Sequence, residues 1–118
     1  MARGNTNTTG SQAASAATTN ATLVKGGEAE VSQIIATNTT ASLKYLKIYN
    51  KRTVPIVGTD VPLLTIALPP SNALTSIDIS GNLHLDQGLG YAITGLGAAS
   101  DTTAVAVGDV VGLNILYL

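Results

Sequence analysis

The stretch Leu43–Lys51, LKYLKIYNK, decides the fold class. Its odd positions are Leu43, Tyr45, Lys47, Tyr49 and Lys51, with Leu46 and Ile48 between them. Successive side chains of a strand point to opposite faces, so a pattern of period two marks a strand rather than a helix. The expectation is a half-buried strand with Leu46 and Ile48 on the core and the Tyr/Lys series facing out.

The same reading extends in both directions. Downstream, Val54–Val61 carries Pro55, Gly58 and Asp60 and reads as a loop. Leu63–Leu68 is a strand, stopped by Pro69-Pro70. Leu74–Ile79 alternates, with Leu74, Ser76 and Asp78 opposite Thr75, Ile77 and Ile79. Ser80-Gly81-Asn82 reads as a turn into Leu83-His84-Leu85. Gly88–Thr94, a short Ala104–Val107 and a final Val110–Leu118 are further strands, with 95–103 a small-residue loop. Upstream lie Ala29–Thr37 and Ala21–Lys25, the latter closed by Gly26-Gly27. Eight or nine short strands at this spacing predict an all-β chain, an antiparallel β-sandwich of jelly-roll type over residues 21–118. No segment offers helical periodicity with caps. Residues 1–20 hold no Leu, Ile, Val or aromatic side chain. They cannot bury apolar surface to offset backbone ordering, so an extended polar N-terminal arm is expected there, ordered by lying on a neighbour.

Composition removes most chemistry. The 118 residues include no Cys, Trp or Phe, and the aromatic side chains are Tyr45, Tyr49, Tyr91 and Tyr117. Disulfides, thiol catalysis, iron–sulfur clusters and thiolate zinc sites are excluded. One histidine, His84, leaves no histidine-rich metal site within a chain. No cofactor and no metal are expected. Only 11% of residues are charged, against roughly 25% in ordinary soluble domains. All six bases lie in the first 52 positions, whereas the remainder carries five aspartates and no base. Such polarity lets copies attract one another or an oppositely charged lattice; drift in a low-charge sequence is the plainer account. No basic block is dense enough for nucleic acid or an anionic membrane. Arg3 is followed by polar residues where a secretory signal needs an apolar run, and no run approaches a membrane span.

The chemistry-bearing residues are few. His84 lies on the strand face opposite Leu83 and Leu85, which suits a surface or interface histidine better than a catalytic one without a nucleophile motif. Asp78 and Asp86 are candidates for a carboxylate pair across a hairpin, but turn-stabilising aspartate is the ordinary reading. Gly88-Leu89-Gly90 and Gly95-Leu96-Gly97 lack the helix and Lys-Ser/Thr of a phosphate loop and read as bends. Asn7, Asn20 and Asn38 begin Asn-X-Thr triplets, common by chance among 16 threonines. Tyr45 and Tyr49, with Lys47 and Lys51, form the one aromatic platform for a sugar; the same side chains equally suit a protein contact, and that reading is the stronger.

Two segments carry a resemblance: ASLKYLKIYNKRTVPIVGTDVPLLTIALPP at 41–70 and GLGYAITGLGAASDTTAVAVGDVVGLNILYL at 88–118. The pattern resembles small structural proteins of tailed bacteriophage and prophage, similar to head decoration (cement) proteins. That likeness covers roughly residues 21–118 and implies a compact β-sandwich without catalytic residues. It implies a non-enzymatic capsid decoration protein on the outer surface of the virion, partnered by the major capsid protein and by copies of itself in a homotrimer. The interface candidates are Arg3, Tyr45, Lys47, Tyr49, Lys51, Arg52, His84, Tyr91 and Tyr117, with residues 1–20 gripping the capsid. The rival is a receptor-binding or head/tail fibre module that recognises a host surface glycan.

Overall fold

The structure is a computed structural model that describes residues 8–118, with the backbone path alone at 8 and 80–82. Eight strands follow in chain order: β1 (Thr8–Ala14), β2 (Thr22–Lys25), β3 (Ala29–Asn38), β4 (Lys44–Asn50), β5 (Leu64–Leu68), β6 (Ala73–Leu85), β7 (Leu89–Thr94) and β8 (Val110–Tyr117). They form two four-stranded antiparallel sheets, ordered β1-β8-β3-β6 and β2-β7-β4-β5, packed as a sandwich. The pairing is nested. β4 pairs with β5, β3 with β6, β2 with β7 and β1 with β8, as in one long hairpin folded at the β4–β5 connection. Rolling that hairpin adds the β3–β8 and β4–β7 pairs.

The layer between the sheets is aliphatic. Val31 and Ile34 of β3, Leu46 and Ile48 of β4, Leu68, Leu85, Leu89, Ile93, Leu113 and Ile115 are all fully or almost fully buried. Each such side chain contributes about 1.5–3 kcal/mol by leaving water. Leu46 and Ile48 face the core as the alternation predicts.

Three expectations change. Residues 74–79 and 83–85 are not arms of a hairpin but parts of one strand, β6. Both parts pair with β3: Val31 stands opposite Leu83 and Gln33 opposite Asp78, so two steps along β3 match five along β6. The glycine-containing segment is taken up as a bulge, because β3 is long enough to engage both parts. Ala104–Val107 is not a strand; Val105 is buried and its N–H donates to the Thr18 carbonyl.

The third change concerns residues 1–20. Thr8–Ala14, placed by sequence in an arm outside the sandwich, is the edge strand β1, paired along its length with β8. Polar interlocking replaces apolar burial there. The Tyr91 hydroxyl donates to Gln12 Oε1 at 2.9 Å, and Gln12 Nε2 donates to Asn20 Oδ1 at 2.8 Å. Gly10 lets the second sheet close in, since a Cβ there would lie 2.5 Å from Val24 Cγ1. Residues 1–7, including Arg3 and Asn7, lie outside the described residues.

Candidate binding surfaces

The two sheets present opposite outer faces. On β2-β7-β4-β5 the outward residues of β7 are Gly90, Ala92 and Thr94, all buried. Their cross-strand neighbours on β4 are Tyr49, Lys47 and Tyr45. Small residues on the central strand leave room for two loops to lie on the sheet, 51–63 between β4 and β5 and the 95–103 part of the connection between β7 and β8. Pro55 of the first loop sits over Gly90, where a Cβ would come within 2.7 Å of the proline ring. The second loop is tied down by Lys47, whose Nζ donates to the Ala98 carbonyl at 2.7 Å and the Asp101 carbonyl at 3.3 Å.

Aspartates hold these loops in shape. Asp60 accepts from Lys51 Nζ and from the Ile56 N–H, the latter at 2.7 Å. Asp101 accepts from the N–H groups of Leu96 and Thr103, each at 3.1 Å, and from the Thr103 hydroxyl at 2.8 Å. Asp109 accepts from the Ala106 N–H at 2.8 Å and lies 3.8 Å from Lys44 Nζ. Lys44, Lys47 and Lys51 therefore each meet a residue of the acidic half, Asp109, Asp101 and Asp60 respectively. The charge split along the chain is used inside one molecule.

The same contacts shift the ionisation of these groups. The hydrogen bond from Lys51, helped by that from the Ile56 N–H, holds the Asp60 carboxyl below its ordinary value. Partial burial pushes Asp101 up, but the bonds from Thr103 and Leu96 outweigh it and the net direction is down. Asp86 is lowered chiefly by the hydrogen bond from Asn50 Nδ2, 2.8 Å away. Burial pulls the Lys47 ammonium down, opposed by Asp101, and pushes the Tyr49 phenol up, aided by Asp60.

The roof corrects part of the expected interface. Lys47 and Tyr49 do not face solvent: they are 0% and 1% exposed beneath the loops. Tyr91 is buried in the core with its hydroxyl on Gln12. Period two placed Tyr49 and Lys47 on the outer face correctly, but it says nothing of what lies over that face. Tyr45 is half-buried against Gly97, and with Leu43 and Leu96 it lines a groove of about 420 Å³. Lys51 is engaged by Asp60 and Arg52 is exposed. Tyr117 is half-buried, with Lys25 Nζ 5.9 Å from its ring centroid. His84 is exposed between two carboxylates, Nε2 at 3.1 Å from Glu28 Oε2 and Nδ1 at 3.6 Å from Glu30 Oε1. Asp86 and Asp78 are separately placed, the first on Asn50 and the second opposite Gln33 of β3. Among the described residues no three His, Asp or Glu side chains are grouped to hold a metal. Asn20 and Asn38 are buried turn-formers; Asn38 Nδ2 donates to the carbonyls of Ser42 and Leu68.

The outer face of β1-β8-β3-β6 is the surface that sequence reasoning missed. Strand register lines its side chains in rows: Ser11, Asn114, Ile35 and Ser76; Thr9, Leu116, Gln33 and Asp78; Ala14, Val111, Thr37 and Leu74. Asp78 is the one charged residue in these three rows. Gln33 Nε2 donates across the face to Ser76 Oγ at 3.1 Å. The alternation in β3 and β6 was visible, but which strands lie side by side is a property of the pairing. Comparison with family models, with curated proteins and with solved structures finds no match to this chain. The chemistry available to the bare face is contact: short polar groups and aliphatic side chains on a backbone fixed by hydrogen bonds, with Asp78 in the three rows and the Glu30–His84 pair beyond them as charged groups.

Proposed function

We propose that this chain is a non-enzymatic capsid decoration subunit of a tailed phage, and that it docks on the shell of major capsid protein through the outer face of β1-β8-β3-β6. The observation that carries the reading is that face: three rows of mostly short polar and aliphatic side chains in which Asp78 is the one charge, with the Glu30–His84 pair beyond them at the far end of β3 and β6, in a chain whose other sheet is roofed. A surface that loses little hydration on contact suits stable protein association. The nested strand order supports the jelly-roll reading of the sandwich. The segments that carry the phage resemblance, 41–70 and 88–118, contain β4, β5, β7, β8 and both roofing loops, so the resemblance falls on the roofed sheet and on β8 of the contact sheet. Copies gathered about a local symmetry axis on the shell, as the resemblance implies, complete the picture.

The decisive experiment adds purified chain to phage heads stripped of it and maps where it binds. Saturable occupancy over the whole shell, lost in an Ile35→Lys, Leu116→Lys double variant that still folds, is the expected result. Occupancy confined to a tail or one vertex, or binding to host surface glycans, overturns the decoration reading in favour of a receptor-binding module.

A further inference from the structure

The two sheets together have four edge strands, and they are not equally protected. β2 has four residues, and β5 has five between Pro62 and Pro69-Pro70. Short strands and prolines both discourage strand addition. β1 runs where the two sheets converge, with Gly10 against Val24. β6 differs in length: it runs for 13 residues, with no Pro, Lys or Arg within it. Among the described residues its one neighbour in the sheet is β3. Alternate N–H and C=O groups on the far side of β6 are a template for another strand.

We propose that two copies of this chain join through the free edge of β6, so that their β1-β8-β3-β6 sheets run on across a two-fold axis at Ser76. This goes beyond the decoration reading, does not rest on it, and sets a two-fold association in place of the homotrimer that the resemblance implies. An antiparallel edge is self-complementary under a two-fold perpendicular to the sheet. Outward side chains must stay outward, so residues of the same face pair and the axis falls on a residue. The regular part of β6 before its bulge is Ala73–Asp78. An axis on Asp78 sets two carboxylates directly opposite, which is destabilising. An axis on Ser76 uses 74–78 of each copy, sets Leu74 opposite the partner's Asp78, and keeps the two carboxylates about 13 Å apart along the strand. That separation exceeds the screening length near physiological salt. Leu74, 65% exposed, then lies over the seam. A net charge of −1 offers little repulsion between copies. The joined sheet doubles the bare face, so a dimer engages a surface with two linked contacts.

The absence of cysteine makes the test clean. In a Ser76→Cys variant the two thiols meet at the axis, with Cβ atoms about 4.5–5.5 Å apart, within reach of a disulfide after slight adjustment. Under mild oxidation this variant is expected to give a linked dimer, while Thr65→Cys on the β5 edge does not. Sedimentation of the unmodified full chain should report a dimer. Ser76→Lys, which sets two ammonium groups opposite each other, should weaken that dimer by at least about tenfold with its far-ultraviolet circular dichroism and melting temperature unchanged. A monomer at every concentration, a trimer, or cross-linking no faster than in the Thr65→Cys control overturns the proposal. Capsid binding by a chain that stays monomeric would sink the dimer while leaving the decoration reading intact.

Discussion

The outer faces of the two sheets start from similar strands and end in opposite states. β4 and β3 both alternate, and both place aliphatic residues on the core. Beyond β4 lie two loops, held by Lys47, Pro55, Asp60 and Asp101, and the face beneath them is sealed. Among the described residues no comparable loop covers β3. The difference shows that outward orientation and exposure are separate properties. The first follows from strand period; the second depends on where the long connections fall, and here 51–63 and 95–103 both flank the same sheet.

The largest effect should come from beneath the roof. Tyr49→Ala removes a fully buried ring and is expected to cost about 3–5 kcal/mol in urea denaturation. Tyr49→Phe is the informative companion. Among the described residues the hydroxyl of Tyr49 has no hydrogen-bond partner, so deleting it should be nearly neutral or slightly stabilising. A loss of 2 kcal/mol or more in the phenylalanine variant (estimated on the scale of one buried polar contact) would mean that the hydroxyl is satisfied in solution. Lys47→Ala comes next. It leaves the carbonyls of Ala98 and Asp101 unpaired and opens a cavity, for an expected loss of about 2–4 kcal/mol. Amide exchange should accelerate first at 95–103, because those are the residues the ammonium holds down.

The contrast also marks what could be read from the chain. Seven of the eight strands lie within segments where alternation or an apolar run was visible, and Leu46 and Ile48 fell on the expected side. β1 was hidden because its sequence, TTGSQAA, has no Leu, Ile, Val or aromatic side chain. Its place is secured by backbone pairing to β8 and by Gln12, Asn20 and Tyr91, residues far apart in sequence. The β6 bulge was hidden because Ser80-Gly81-Asn82 has the composition of a turn, and only pairing of both parts with β3 reveals one strand. The bare face shares that cause. It is assembled from four strands whose order is a long-range property, so no local window contains it. Lys47 is the sharpest case: an exposed lysine by period and composition, it is buried by a loop 51 residues further on.

Substitutions on the bare face should barely register as stability. Ile35→Thr keeps a β-branched side chain on a central strand and is expected to cost under about 1 kcal/mol. The same change should weaken any partner that uses this face. If Ile35→Thr destabilised the isolated chain as much as Tyr49→Ala, the face would not be bare in solution, and the two sheets would be alike after all.

Acid should produce the smallest effect and act on the roofed side first. Asp60, Asp86 and Asp101 all have carboxyls held below their ordinary values. Asp60 braces 51–63, Asp101 braces 95–103, and Asp86 clasps Asn50 at the end of β4. A carboxyl whose folded value lies below its unfolded value of about 3.9 stabilises the fold fully above that value. The contribution is lost as pH falls from there toward the folded value, where the native state also takes up the proton. Denaturation midpoints should therefore be level from pH 7 to about pH 5 and decline below about pH 4. Exchange at 51–63 and 95–103 should rise before exchange in β3 does. Asp60→Asn should remove part of the decline. A decline that starts in β3, or one untouched by Asp60→Asn, would assign the acid sensitivity to the other sheet and break the link between the roof and its aspartates.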